Sequence, residues 1–196
     1  SDRRSCATAF LQRAGWGAAE RRVLAGDASA RRYDRLRQGD KTAVLMDAPP
    51  DMAEDVGAFL AIADHLLSLG LSAPRCLAKD RANGFLLLED LGDDLFARLI
   101  PRDAALEAPL YAAAVDVLAH LQSHPPAPGL PDLTAADWAE AAAFAPDWYR
   151  FAITGDRPDR APFVQAMTQA LQTHADGPRV MILRDYHAEN LLWLPH

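Results

Sequence analysis

Apolar and polar positions follow two rhythms along this chain, and the change falls near residue 92. Residues 4–14 set Ala7, Phe10, Leu11 and Ala14 at helical spacing, with Gly15 as the stop. Short runs then predict strands over 21–25, 32–36 and 42–46. The small-residue loop Gly26-Asp27-Ala28-Ser29-Ala30 separates the first two, and Gln38-Gly39-Asp40-Lys41 turns the second into the third. Three short strands joined by tight turns predict an antiparallel meander. A helix over 51–69 follows, with an apolar stripe of Val56, Phe59, Leu60, Ala63, Leu66 and Leu67 closed by Gly70. Asp51 with Glu54 has the form of a capping box at its start. Strands over 75–78 and 85–89 complete this region, joined by a turn whose Asn83-Gly84 pair is a hairpin cue.

After Asp90-Leu91-Gly92 the period becomes helical, predicting helices over 103–123, 135–149 and 162–173. His124-Pro125-Pro126-Ala127-Pro128-Gly129 breaks the first two apart and reads as a loop, not a linker between independent domains. Short strands over 180–183 and 191–194 flank a final loop, and no internal repeat is visible. The expected class is α+β. A β-rich N-lobe over 1–90, with five strands and one inserted helix, joins a helical C-lobe over 91–196.

Composition narrows the function classes. The net charge of −7, without a basic tail or block of like charge, argues against a nucleic-acid partner. Cys6 and Cys76 stand alone in apolar surroundings with no metal-like spacing, which fits a reducing cytoplasm better than a disulfide framework. No run of eighteen apolar residues and no signal-peptide core are present, so a cytoplasmic protein without a membrane partner is expected. Of the basic residues only Lys41 and Lys79 are lysine, the rest being arginine.

The sharpest chemical signal lies in Leu183-Arg184-Asp185-Tyr186-His187-Ala188-Glu189-Asn190-Leu191-Leu192. An aspartate after an apolar strand, with an asparagine five positions on, suits phosphoryl transfer. The carboxylate can orient a hydroxyl and accept its proton, while the amide oxygen holds a metal that bridges phosphates. Read alone, the same spacing also fits a strand ending in a turn, with Asp185 capping it and Asn190 satisfying local backbone.

Arg184-Asp185-x-x-x-Glu189-Asn190 resembles the catalytic loop of protein kinases, and Asp185-x-His187-x-x-Asn190 that of aminoglycoside phosphotransferases. A set of ordered stretches is similar to a narrower branch, the bacterial kinases that phosphorylate the anomeric hydroxyl of N-acetylmuramate and N-acetylglucosamine. These stretches are 14–16, Gly26-Asp27-Ala28-Ser29-x-Arg31-Arg32-Tyr33, 44–50, 86–92 and 183–190. The resemblance implies a protein-kinase-like two-lobe fold, a truncated C-lobe, ATP and Mg²⁺ as cofactors, and a small amino-sugar or aminoglycoside substrate. It implies Asp185 as catalytic base and Asn190 as metal ligand. Gly26, Asp27, Ala28 and Ser29 take the place of the nucleotide-covering loop, where small residues let backbone N–H groups approach phosphate oxygens. An ordinary hairpin turn is the alternative for that loop. Arg31 and Arg32 alternate faces, so one of them points toward the nucleotide. The segment 86–92 resembles the hinge between lobes, where backbone groups near Glu89 and Leu91 would read the adenine edge. Glu89 and Asp90 are read as hinge-shaping or solvated, and His187 as a loop-packing residue.

Two departures from the family pattern follow. At the third-strand position of the phosphate-pairing lysine of protein kinases the chain reads Ala43-Val44-Leu45-Met46, which shifts the positive charge to Arg31 or Arg32. It also leaves Glu54 as a helix cap rather than an ion-pair partner. The family's second magnesium aspartate would lie after His196, so the chain is expected to be a fragment, with an apolar 191–194 strand lacking its hairpin partner. Three functions are consistent with these residues: an amino-sugar kinase, a kinase acting on an aminoglycoside or other small alcohol, and a nucleotide-binding pseudokinase.

Overall fold

The computed structural model describes residues 2–26, 30–52 and 55–194. Asp27, Ala28, Ser29 and Glu54 therefore lie outside the described residues, and with them most of the expected nucleotide-covering loop. The described contacts divide the chain into two compact units, Ser1–Ser123 with Ile182–His196, and His124–Met181.

The first unit is built on a five-stranded antiparallel sheet of β1 (Glu20–Gly26), β2 (Arg32–Gln38), β3 (Lys41–Asp47), β4 (Cys76–Asp80) and β5 (Phe85–Glu89). Its spatial order is β1-β2-β3-β5-β4, because α2 (Val56–Ser68) is inserted between β3 and β4. All five predicted strands are present. The period of two decides which helix each residue meets. Ala43, Leu45, Phe85 and Leu87 pack with Leu36 against α1 (Arg3–Arg13) through Ala7, Phe10 and Leu11. Met46, Leu86 and Leu88 face the other way, onto Val56 and Leu60 of α2. β5 is thus covered on both faces, which is why it reads as an unbroken apolar run. Arg3 fastens α1 to the sheet by donating to Asp47 at 2.6 Å while its guanidinium lies 4.1 Å from the centre of the Phe85 ring.

One local feature differs from expectation. The inserted helix starts at Val56 rather than at residue 51, capped by Asp55, whose carboxylate accepts the Gly57 N–H at 2.9 Å. Upstream, the chain is still turning, with Met52 N–H donating to Pro49 O. The β4–β5 turn does require its glycine. Gly84 has φ +69°, and a Cβ there would lie 1.9 Å from the Ala48 carbonyl oxygen.

After β5 the first unit continues through α3 (Phe96–Leu99), a single 3₁₀ turn over Ala104–Leu106 and α4 (Glu107–Gln122). The stretch Ala104–Gln122 is long and apolar enough to cross a membrane by length and composition alone, and little of it is buried in this structure. It carries Glu107 and Asp116, and Leu110 and Ala114 pack into a cluster with Phe96.

In the second unit the predicted 135–149 helix is broken into α5 (Ala135–Ala142), a π-helical turn over Ala145–Arg150 and α6 (Phe151–Thr154), followed by α7 (Ala161–His174). Pro146 has no N–H to continue the ladder, which explains the change of pitch. α5 starts with a reciprocal box between Thr134 and Asp137.

The closing segment corrects two expectations. Residues 180–183 are not a strand, and no strand lies beside them among the described residues. Residues 191–194 form no full strand either, but they do have a partner. Leu192 bridges Leu95, Phe96 N–H donates to Leu191 O at 2.9 Å, and Trp193 N–H donates to Asp94 O at 2.8 Å.

Candidate active site

The loop after Leu183 is held by alternation of half-buried and exposed residues. Tyr186, Ala188 and Leu191 pack into the Phe96, Leu110 and Ala114 cluster, while Asp185, His187 and Asn190 are exposed. The Tyr186 hydroxyl donates to Ala114 O at 3.0 Å, tying the loop to α4. Burial pushes that phenol above its ordinary pKa, so it remains a donor at physiological pH. Ala97 N–H donates to Ala188 O at 3.0 Å, tying the loop to α3. Arg184, with φ +55°, is the non-glycine residue among those described that adopts a positive φ, and it immediately precedes Asp185.

Within the loop the two predicted site residues are directly linked. Asn190 Nδ2 donates to the Asp185 carbonyl at 3.0 Å and lies 3.2 Å from His187 Nε2, while Asn190 N–H donates to His187 O. With its amide nitrogen committed to the loop, Asn190 keeps Oδ1 as an acceptor for a cation. The nitrogen of His187 that meets this donor acts as acceptor, which gives the histidine an orienting contact with Asn190 beyond the packing role expected of it.

Asp185 and Asn190 open onto a cavity of about 700 Å³. Tyr33 and Val44 line it from the sheet, Leu88, Glu89 and Leu91 from the end of β5, and Phe59 and Leu66 from α2. Leu192 and Trp193 contribute from the closing segment. The walls are mainly apolar, and the charged residues among those described at the lining are Glu89 and Asp185. This is the composition expected of a small-molecule pocket, mostly apolar with a small number of placed polar groups.

The expected hinge lies at one edge. Glu89 N–H donates to Arg75 O at 2.9 Å, and Glu89 Oε2 accepts the Arg75 N–H at 3.2 Å, so its side chain is engaged with the chain beside it. No hydrogen bond engages the Leu91 N–H among the described residues. Asp90 has a side chain only 7% exposed, paired with Arg35. The remaining predicted residues lie elsewhere. Gly26 pairs with Arg32 at the loop end of the β1–β2 hairpin, and neither these two nor Arg31 is among the cavity-lining residues. Arg32 is exposed and belongs to the face of β2 that carries Leu36. Met46 is fully buried against α2, so the third strand offers no cation to the cavity.

Sequence reasoning did not single out Tyr33, Val44, Phe59 or Leu192 as lining, nor Tyr186 as the anchor of the loop. The strand period carried part of this information, since it places Tyr33 and Val44 on the face opposite the α1 core. The Tyr186–Ala114 contact spans 72 positions and leaves no local signal.

Residues 20–196 match the family model described as "Phosphotransferase enzyme family". The chain is 37% identical to the N-acetylmuramate/N-acetylglucosamine kinase of Caulobacter vibrioides, in an alignment covering 100% of this chain and 64% of the relative. It is 34% identical to the enzyme of the same name from Pseudomonas aeruginosa (96% of this chain, 56% of the relative) and 33% identical to that of Pseudomonas putida (87% and 50%). The chain thus spans between half and two thirds of the length of these curated relatives. Its ordered motifs, its antiparallel sheet and a family match over most of its length agree, and the chain belongs to the phosphotransferase enzyme family.

Proposed function

We propose that this chain carries the nucleotide site and catalytic loop of an ATP-dependent phosphotransferase that transfers the γ-phosphoryl group to a hydroxyl of a small amino sugar. The observation that carries the reading is the joint position of Asp185 and Asn190 at one cavity, opposite the end of β5. The relatives' names supply the substrate class: they are kinases of N-acetylmuramate and N-acetylglucosamine. Dependence on ATP goes with a cytoplasmic setting.

In this reading the purine lies between Tyr33, Val44 and Leu192, with its edge toward Glu89 and Leu91. Asp185 accepts a hydrogen bond from the acceptor hydroxyl, orients its oxygen toward the phosphoryl group and takes the proton as the bond forms. The Gly26–Ser29 loop and the arginines Arg31 and Arg32 cover the phosphates from the β1–β2 hairpin.

Mg²⁺ suits the donor set at the loop. It is normally held by one or two protein oxygens together with water and phosphate, rather than by a full protein cage. The described residues contain no cluster of three acidic or metal-binding side chains, and Asn190 Oδ1 is the protein oxygen that would hold the ion. When bound, the ion neutralises charge on the phosphates.

The test is transfer of labelled phosphate from Mg-ATP to N-acetylmuramate, N-acetylglucosamine or kanamycin, by this chain and by a form continuing to the length of the relatives. Sugar phosphate is expected from the longer form. Asp185→Asn should lower turnover by about 10²–10⁴-fold while leaving nucleotide affinity nearly unchanged. Transfer to kanamycin alone would redirect the reading to an aminoglycoside acceptor. Nucleotide binding without transfer by the longer form would overturn the kinase reading.

A further inference from the structure

Strand alternation puts Arg35 on the same face of β2 as the cavity-lining Tyr33. From there its guanidinium binds the segment that leaves β5. Nη1 donates to Asp93 Oδ2 at 2.5 Å. Nη2 donates to Asp90 Oδ1 at 3.0 Å and to the Gly92 carbonyl at 3.0 Å. Nε lies 2.9 Å from Asp90 Oδ2. Asp90 Oδ1 also accepts the Gly92 N–H at 3.1 Å, which closes a turn around Leu91. Gly92 completes that turn with φ +85°.

One side chain therefore ties residues 90, 92 and 93 to the sheet, on both sides of the residue that lines the cavity. The tie is specific to arginine. A planar fork reaches several acceptors in fixed directions, whereas an ammonium is a single point charge. Asp90 is nearly buried, so removing Arg35 leaves a carboxylate without its counter-charge, and the turn must rearrange to rehydrate it. The same segment leads directly into Asp94–Phe96, which pair with Leu191–Trp193 after Asn190.

We propose that Arg35 is a positioning residue for nucleotide-base recognition, holding segment 90–93 in the conformation in which Leu91 meets the base. This role rests on the nucleotide-binding reading above, and it predicts a loss on the base side of the ligand rather than the phosphate side.

Calorimetric titration of the chain with adenosine and, separately, with the non-hydrolysable ATP analogue AMP-PNP tests it. Arg35→Met and Arg35→Lys should weaken both ligands by the same factor, on the order of tenfold, with unchanged far-UV circular dichroism. Asp93→Asn should act in the same direction and less strongly, and with Arg35→Lys it carries the test should Arg35→Met fail to fold. Folded variants that bind adenosine as tightly as the unaltered chain would overturn the proposal. Weakening confined to AMP-PNP would overturn it too, by assigning Arg35 to the phosphates. If the unaltered chain binds neither ligand, the nucleotide reading itself fails, an outcome distinct from failure of the variants alone.

Discussion

Arg184 holds φ at +55° immediately before Asp185, a left-handed conformation that costs a residue with a Cβ about 1–2 kcal/mol. The bend is kept because Tyr186, Ala188 and Leu191 anchor the following turn, and it separates the exposed Asp185 from the half-buried residues that support it. Charge is managed as locally as strain. Hydrogen bonding by Arg35 holds Asp93 below the ordinary carboxylate pKa, and the Thr134 hydroxyl and N–H do the same for Asp137. A carboxylate more acidic in the fold than in the unfolded chain stabilises the fold fully above the unfolded pKa of about 4, and loses that contribution as pH falls toward the lowered value. Thermal melting should therefore hold steady for these groups from pH 7 to 5 and weaken below about pH 4. Asp93→Asn should remove part of that decline, by a small amount because the carboxylate is half exposed. Asp185 and Asn190 were singled out by their spacing together with the ordered motifs around it, and both line the cavity. Arg35 was not, since an arginine on a strand acquires its role only from Asp90, Gly92 and Asp93, more than fifty positions away.

Strands whose partners are near in sequence were legible, and pairings across long separations were not. The β1–β2–β3 meander and the β4–β5 hairpin follow from turn residues and alternation alone. The hairpin also gives a sharp stability test. Gly84→Ala combines a positive φ with a 1.9 Å approach to the Ala48 carbonyl, and should destabilise the fold by about 2 kcal/mol or more in urea unfolding. The start of α2 was misplaced because residues 51–55 offer several acidic caps, and among the described residues it is Asp55 that accepts an N–H, that of Gly57, once the chain has turned after Pro49. The segments at 180–183 and 191–194 were read as strands from apolar runs, which carry no information about a neighbour. The first found none among the described residues, and the second found Leu95, nearly a hundred positions earlier.

On the scale of the whole molecule, apolar residues are buried unevenly. The three core clusters all lie in the first unit. In the second, Tyr149 is 71% exposed, Phe144 65% and Trp148 56%, with the Arg157 guanidinium stacked over Trp148 and Phe151. Apolar surface of this kind binds hydrophobic dyes or other protein. The chain should therefore enhance anilinonaphthalene sulfonate fluorescence under native conditions, and Phe144→Ser with Tyr149→Ser should lower the signal without lowering the melting temperature. A different kind of reagent probes the first unit. Met46 fills the third-strand position with a thioether sealed against α2, and both lysines, Lys41 and Lys79, are exposed on the sheet away from the cavity lining. Nucleotide analogues bearing an acyl phosphate label a protein by passing their acyl group to an amine beside the bound phosphates. On the nucleotide-binding reading proposed above, this chain should escape such labelling, and mass spectrometry of the reacted protein should find ATP-competable acylation at neither Lys41 nor Lys79. Labelling by that chemistry would therefore pass over this stretch of chain.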